Sequence, residues 1–306
     1  MTFTVIARDP ATGDLGIATT THAFGVGPVA DHTRPGVGVV ATQSFVEVSY
    51  GPQGLDLIEA GVPVQEALEK LLAVDEAREI RQVALMDAAG NVAHFTGRQC
   101  VPSCGAVVGD GAIAIGNMLA TDDVLPSTLA AVTGDGDFAE RLLGALDAGQ
   151  AAGGDARGTM SAALRIISAE RPAGSWLGTS LDLRVDFAVD PLAGLRRDLA
   201  VKRAYDIFFG AVFAPGLVTG SDAVTGDELE AALAALAGAQ RTLGADREAT
   251  LWQAVLLLRA DRRADGIALA ADVLRTRPAF ARFVDGLHEI GTIDLGSDEI
   301  LREATR

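Results

Sequence analysis

The N-terminal part of the chain alternates short β-type runs with turn residues. Runs rich in β-branched and apolar residues occupy 2–7 and 15–21, and the segment 9–14 between them reads Asp-Pro-Ala-Thr-Gly-Asp, which is typical of a turn. This pattern predicts a β-hairpin with a loop longer than the tightest type. A third strand is predicted over 36–44, where small and apolar residues follow one another almost without interruption, as in strands covered on both faces.

Helical periodicity first appears after the third predicted strand. Helices are predicted at 54–60, 63–72, 138–150 and 190–209. Further strands are predicted at 80–86, 92–96, 105–108, 112–115, 161–168 and 181–187. Because strands and helices do not alternate regularly, this order argues against a doubly wound parallel sheet. It favours stacked antiparallel sheets with helices packed outside them.

The pattern changes after residue 213, which we take as the end of a first domain spanning 1–213. Residues 214–226 are rich in Gly, Ser and Thr and predict a linker, whereas 227–306 is rich in Ala and Leu and predicts a helical C-terminal domain. Helical stretches at 249–258 and 266–274 resemble one tetratricopeptide unit. Because one such unit cannot bury its own apolar faces, we expect it to dock on the first domain or on another copy of the chain.

Composition and charge narrow the classes of partner. The 306 residues include 41 acidic and 25 basic side chains, a formal net charge of −16, which argues against nucleic acid as a partner. No run of about 20 apolar residues predicts a membrane span. The only cysteines, Cys100 and Cys104, have no second Cys/His cluster that would complete a zinc site. We expect a cytoplasmic protein without a metal, another cofactor or a membrane partner.

Thr2 is the candidate nucleophile of the chain. A threonine hydroxyl needs a base, and removal of Met1 would place the α-amino group of Thr2, with a reference pKa of about 7.7 to 8.0, beside it. A threonine with a free α-amine is a recognised self-activated nucleophile. The alternative interpretation is that Thr2 simply begins a β-strand.

Several segments together resemble one protein family. They read TFTVIARDPATGDLGIA at 2–18, GVGVVATQSF at 36–45, YGPQGLDLIEAG at 50–61, RQVALMDAAGNVAHFTG at 81–97, GNML at 116–119 and AGQAAGGDARGTMSAAL at 148–164. In this order they resemble the bacterial family catalogued as domain of unknown function 1028, which is similar to the N-terminal-nucleophile (Ntn) hydrolases. The resemblance implies an α+β fold, a four-layer αββα sandwich of two antiparallel sheets, with a small all-α C-terminal appendage.

The wider superfamily suggests a chemistry that the family name does not supply. By analogy the reaction would be hydrolysis of an amide through an acyl or ester intermediate, with Thr2 as the nucleophile. Arg34 lies where proteasome-type enzymes carry a lysine, and it would act only through its positive charge. Asn117 would donate to the oxyanion.

Four further residues are predicted to serve the same site. Asp155 and Arg157 would orient the substrate or the amine, or else form a loop-capping ion pair. Thr42 and Gln43, at the end of the third predicted strand, would line the cleft and bind substrate, or else form a satisfied polar cluster.

Two functional hypotheses remain open. The first is an Ntn-type amidohydrolase acting on a small amide or a short peptide. The second is a non-catalytic Ntn-like scaffold that binds a metabolite or a protein partner. The second hypothesis has three grounds: the acidic residue expected near the start of strand two is missing, since the chain reads Leu-Gly-Ile-Ala-Thr at 15–19; Arg34 replaces the lysine; and the C-terminal helices resemble a tetratricopeptide unit. A homodimer or a higher homo-oligomer is expected in either case.

Overall fold

The computed structural model of the protein describes residues 2–174, 177–214, 217 and 225–306. Contacts divide the chain into two compact units, Met1–Arg197 and Asp198–Arg306. The N-terminal unit contains both β-sheets. The predicted linker 214–226 lies mostly outside the described residues.

Two antiparallel sheets form the N-terminal unit. The strands are β1 (Thr2–Arg8), β2 (Leu15–Thr21), β3 (Asp31–Arg34), β4 (Gly38–Ser44), β5 (Arg81–Asp87), β6 (Val92–Thr96), β7 (Gly105–Gly109), β8 (Ala112–Asn117), β9 (Ser161–Ile167) and β10 (Thr179–Val185). The larger sheet has the strand order β10-β9-β2-β1-β8-β7, and the smaller has the order β3-β4-β5-β6. The predicted hairpin of β1 and β2 therefore lies at the centre of the larger sheet.

The first six helices along the chain are α1 (Gly27–Ala30), α2 (Tyr50–Glu59), α3 (Val64–Val74), α4 (Val124–Val132), α5 (Phe138–Ala151) and α6 (Pro191–Val212). Helix α1 contacts strands of both sheets. Helix α4 contacts β1 and β8 of the larger sheet, and α5 contacts β1 and β2 of the same sheet. Helices α2 and α3 contact the smaller sheet. An apolar cluster joins α2 and α3 to β4 and β5 through residues such as Leu55, Leu71 and Leu85.

The layer between the sheets changes character along the strands. One end is apolar and joins the sheets through Ile6, Ile17, Val39, Ala41, Met86 and Ile113, among others. Because side chains of a strand alternate between its faces, the residues two and four positions further along point into the same layer. At the other end these are Thr2, Thr4, Thr19, Thr21, Gln43, Gln82 and Asn117, all buried. We call this group, with Asp31, the polar end of the layer, because Asp31 pairs with Ala41 across β3 and β4.

Strand β3 and helices α1 and α4 are among the described elements that the sequence pattern did not predict. Strand β3 is short and polar, reading Asp-His-Thr-Arg, and it exists as an edge strand because it pairs with β4. The predicted third strand therefore begins at Gly38 rather than at residue 36. Helix α4 was also not predicted, and it packs against α5 and β8.

The C-terminal unit is helical and has its own core. It contains α7 (Gly226–Leu243), α8 (Glu248–Arg259), α9 (Arg263–Thr276), α10 (Ala281–Glu289) and α11 (Ser297–Glu303). Its apolar cluster includes Phe208 and Val212 of α6, so the end of this helix packs with the C-terminal unit, which begins at Asp198. Within the described ranges, no helix combines the length and hydropathy needed to cross a bilayer.

Candidate functional site

Thr2 begins the central strand of the larger sheet. It pairs with Thr21 of β2 on one side and with Asn117 of β8 on the other. Its side chain is buried, and its Oγ1 lies 3.0 Å from Oγ1 of Thr21. The carbonyl oxygen of Thr2 accepts a hydrogen bond of 3.3 Å from Nε2 of Gln43 in the smaller sheet. The predicted nucleophile is thus held from both sheets at the polar end of the layer.

Gln82 of β5 is the centre of a network of buried amides at this end. Its Nε2 donates to the carbonyl oxygens of Gly105 and Gly116, at 3.0 and 2.8 Å, and to Oγ1 of Thr96. Its Oε1 accepts from Nε2 of Gln43 at 2.7 Å and from Nδ2 of Asn117 at 3.0 Å. The amide network therefore connects the carbonyl of Thr2 to backbone groups of β7 and β8.

A line of hydroxyl groups continues from Gln43 to a buried carboxyl group. Thr4 Oγ1 donates to Oε1 of Gln43 at 2.8 Å and lies 2.9 Å from Oγ1 of Thr19. Thr19 Oγ1 lies 2.7 Å from Oδ1 of Asp31. All four side chains are essentially inaccessible to solvent. A continuous row of hydrogen-bonding contacts thus runs from Thr2 to Asp31.

Asp31 supplies the carboxyl group at the end of this row of contacts, and it is buried. Burial raises its pKa to about 7, although the Thr19 hydroxyl and the charge of Arg165 act in the opposite direction. Its Oδ2 is buried and has no hydrogen-bond partner among the described residues. Ionised carboxylates are costly to bury without donors at both oxygens. The arrangement therefore favours the neutral acid near neutral pH.

Besides Thr2, two of the predicted site residues lie at the polar end, whereas Arg34 and Thr42 do not. Gln43 and Asn117 belong to the amide network, and Nδ2 of Asn117 is directed to Gln82. Arg34 instead donates to Asp56 and Glu59 of α2 at 2.8 and 2.6 Å. Thr42 donates to the carbonyl of Glu47 and pairs with Val83, whose side chain lies in the cluster with α2 and α3 on the opposite face of the sheet.

Asp155 bonds to the segments that follow β2 and β8, the two strands that flank Thr2. Its Oδ2 accepts from the backbone N–H of His22, which follows β2, at 3.0 Å. Its backbone forms an isolated bridge to Leu119, which follows β8. Arg157 donates to Asp155 from its backbone at 2.8 Å and forms an ion pair with it. The pair thus has the loop-capping geometry that the sequence left open, at the end of the sheet where Thr2 lies.

Sequence reasoning missed Thr4, Thr19, Asp31 and Gln82. A signal for three of them was present, because Thr2 and Thr4, Thr19 and Thr21, and the glutamines at the ends of β4 and β5 all lie on inward faces by two-residue spacing. Asp31 had no such signal, since its strand was not predicted. Within the described part of the chain no group of three or more His, Cys, Asp or Glu side chains could hold a metal ion.

Comparisons with known proteins confirm the predicted resemblance to the DUF1028 family. No curated protein matches the chain. A crystal structure of a DUF1028 protein from Silicibacter pomeroyi is 31% identical, with a TM-score of 0.58, and the match covers 70% of this chain and 87% of that one. Anbu (ancestral beta-subunit) from Yersinia bercovieri matches at 13% identity with a TM-score of 0.35, over 70% of this chain and 99% of that chain. The model of the family of unknown function DUF1028 matches residues 2–195, so the chain belongs to this family.

Proposed function

We propose that the chain is a cytoplasmic Ntn-type amidohydrolase with an αββα sandwich, acting on a small amide or a short peptide. The nucleophile is the hydroxyl of Thr2 after removal of Met1. The observation that carries the proposal is the position of Thr2, at the head of the central strand and at the polar end of an otherwise apolar layer. Burying so many polar groups lowers the stability of the fold unless each group has a hydrogen-bond partner or takes part in function.

The proposed reaction has two halves. The α-amine of Thr2 takes the proton of the hydroxyl as Oγ1 attacks the substrate carbonyl, and it returns that proton to the nitrogen of the leaving group. This step breaks the amide C–N bond and leaves an ester on Oγ1. Water, deprotonated by the same amine, then attacks the ester carbonyl, and the proton returns to Oγ1 as the acid is released.

The remaining predicted residues have supporting roles in this proposal. Asn117 would donate to the developing oxyanion if its Nδ2, now bonded to Gln82, also faces the substrate. Asp155 and Arg157 would orient the substrate beside the start of β1, and Gln43 holds the carbonyl of Thr2. For Arg34 and Thr42 a direct role would require them to leave their present partners. A homodimer or higher homo-oligomer belongs to the same proposal.

The second candidate function is a non-catalytic Ntn-like scaffold that binds a metabolite or a protein partner. A specific observation favours it: Arg34, the residue expected to lower the pKa of the nucleophile, is bound to two carboxylates of α2. Nδ2 of Asn117 is likewise bonded to Gln82 and not to Thr2. The two candidates differ in whether the Thr2 hydroxyl reacts with an electrophile.

Labelling with a β-lactone probe separates the two candidates. Intact-mass spectrometry of the purified protein should show loss of Met1, and the probe should form an ester on Oγ1 of Thr2 as its ring opens. Thr2→Val should abolish labelling, whereas Thr2→Ser should retain it, because serine keeps the hydroxyl and the amine.

Thr133→Val is the matched control for this experiment. Thr133 is exposed, and its hydroxyl donates to the backbone carbonyl of Ala130 nearby in the chain. Its replacement should leave the labelling of Thr2 unchanged. Retention of Met1 in the cytoplasmic protein together with no ester on Thr2 would contradict the hydrolase and favour the scaffold.

A further inference from the structure

We propose that Asp31 is a neutral carboxylic acid in the folded protein, and that its proton orders the hydrogen bonds that position Thr2. Asp31 is a positioning residue in this inference, since it contacts Thr19 and not Thr2. The positioning role rests on the proposed function. The protonation state does not, because it follows from the directions of the hydrogen bonds alone.

The direction of the amide bonds is fixed by the backbone. Carbonyl oxygens only accept hydrogen bonds, so the atom of Gln82 facing the carbonyls of Gly105 and Gly116 must be the Nε2 donor. Oε1 of Gln82 then faces Gln43, which must present its own Nε2 as the donor. The same Nε2 also faces the carbonyl of Thr2, another obligatory acceptor. Oε1 of Gln43 is left to accept from Thr4.

The hydroxyl groups can supply only two of the three protons that the rest of the row needs. Three contacts remain, between Gln43 and Thr4, Thr4 and Thr19, and Thr19 and Asp31. Each threonine hydroxyl carries one proton. Thr4 donates to Oε1 of Gln43, so Thr19 must donate to Thr4. The proton in the third contact must therefore come from Oδ1 of Asp31.

An ionised Asp31 would leave one contact without a proton. Thr19 would then donate to Asp31, Thr4 would donate either to Thr19 or to Gln43, and the other contact would bring two acceptor oxygens together. Oδ2 of Asp31 would also be a buried anionic oxygen with no donor among the described residues. Buried polar networks are stable only when each member is satisfied. The neutral acid satisfies all three contacts.

The charged groups around Asp31 come from three elements. Arg165 of β9 donates to the backbone carbonyl of Asp31 at 3.2 Å, and its positive charge favours the carboxylate. Asp182 of β10, which pairs with Arg165, disfavours the carboxylate. His32, next to Asp31 on β3, has its pKa lowered by burial, and Arg165 also lowers it. On the paired strand β4 the neighbour is the apolar Ala41. The effect of burial on the pKa of Asp31 is therefore larger than that of Arg165, whose charge is partly offset by Asp182.

The proton of Asp31 matters for Thr2 through Gln43. With Asp31 neutral, Thr4 is committed to Oε1 of Gln43, and this holds Nε2 of Gln43 on the carbonyl of Thr2. When Asp31 loses its proton, the donor of Thr19 turns to Asp31 and the donor of Thr4 is drawn towards Thr19. The Gln43 amide then loses its fixed acceptor bond, and the start of β1 is held less firmly.

Two variants of Asp31 test the protonation state. Asparagine can present its N–H donor to Thr19 at every pH, so Asp31→Asn should fold and should be close to wild type in stability at pH 5. Asp31→Ala removes the donor and should be clearly less stable. The free energy of unfolding of the wild type relative to Asp31→Asn should fall between about pH 4 and pH 7, by up to about tenfold in the folding equilibrium per pH unit. The sign follows because the folded state keeps a proton that the unfolded state has lost.

Carboxyl ¹³C NMR of the intact wild-type chain gives a second readout that needs no activity, with Asp31→Asn used only to assign the resonance. The resonance that is absent from the spectrum of Asp31→Asn should titrate near neutral pH. Loss of stability in Asp31→Asn equal to that in Asp31→Ala at pH 5, or a carboxyl that is ionised at pH 5, would overturn the inference.

The positioning role is read from the rate at which the β-lactone probe labels Thr2. In the wild type the rate should change through the titration of Asp31, and in Asp31→Asn this component of the pH profile should be lost. A profile that is identical in the two proteins would overturn the positioning role. Absence of any labelling would instead count against the hydrolase, and the NMR and stability results would still decide the protonation state.

Discussion

Gln82 is the residue on which the polar end depends most. One amide group satisfies two backbone carbonyls and accepts from the side chains of Gln43 and Asn117. It has no exposed surface. A buried donor or acceptor that loses its partner costs about 1 to 3 kcal/mol. The contribution of Gln82 therefore comes from the groups that its absence would leave without partners.

Replacing Gln82 by leucine should lower the free energy of unfolding by about 3 kcal/mol or more. Leucine has a similar size but cannot donate to Gly105 or Gly116 or accept from Gln43. Equilibrium unfolding in urea measures the change. The matched control is Gln65→Leu, because Gln65 is exposed on α3 and bonds to Glu69 one turn away, so a change within about 0.5 kcal/mol is expected there. Equal effects at the two positions would contradict the assignment.

At the scale of elements, the central hairpin and α5 approach each other closely at a glycine. A Cβ built on Gly16 of β2 would lie 2.3 Å from Cδ1 of Leu142 and 2.9 Å from the ring of Phe138. Both side chains belong to the buried face of α5. The absence of a side chain at Gly16 thus sets the distance between this helix and the sheet that carries Thr2.

Gly16→Ala should therefore destabilise the protein by about 1 to 3 kcal/mol, as overpacking of a filled core does. Gly144→Ala, on α5 itself, is the control. A Cβ at Gly144 would meet no atom within 4 Å outside the neighbouring backbone of its own helix. Alanine is the better helix former, so this variant should gain about 0.5 to 1 kcal/mol. Thermal unfolding followed by circular dichroism compares them, and a stabilised Gly16→Ala would contradict the packing described.

The elements that were predictable from the sequence are those encoded locally. β1 and β2 were predicted within one residue of their observed ends, because alternating β-formers and a Pro/Gly turn lie next to each other in the chain. β3 was missed because its four polar residues become a strand only by pairing with β4. Helix α4 was also missed; it packs on α5, and this tertiary contact is not visible in the local sequence pattern.

The site divides in the same way. Thr2, Gln43 and Asn117 were predicted from the amine chemistry of an N-terminal threonine and from the family resemblance, and the structure brings all three to the polar end because they lie at strand ends. The partners of Arg34 are two carboxylates on α2, 22 and 25 residues further along, which no local pattern reveals. Asp31 becomes part of the polar end only through the packing of one sheet on the other.

At the scale of the whole molecule, the dominant electrostatic feature is self-repulsion. The formal net charge of −16 is spread over 306 residues, and at low ionic strength these charges act over long distances. Many of the arginines already form surface ion pairs with Asp or Glu, as Arg262 and Arg263 do in the C-terminal unit. The excess carboxylates have no such compensation, because acidic residues outnumber basic ones by 41 to 25.

Added sodium chloride should raise the melting temperature of the protein. Raising the ionic strength from about 0.01 M to about 1 M shortens the Debye length from about 30 Å to about 3 Å, which screens repulsion more than it weakens close ion pairs. Differential scanning fluorimetry measures the shift. Chloride is the suitable anion because sulfate would also stabilise by exclusion from the surface. A melting temperature that falls with chloride would show that the ion pairs outweigh the repulsion.

The one-way order of the hydrogen bonds at the polar end also limits how this family can vary. Each donor from Asp31 to Gln43 has its direction set by the next group, ending at two backbone carbonyls that no mutation of a side chain can reverse. A substitution that removes one hydrogen-bond donor therefore requires a second substitution in the row, so that each contact again has one donor and one acceptor. Positions 4, 19, 31, 43 and 82 should consequently be inherited as a set, so that evolution exchanges one complete arrangement for another and not single residues.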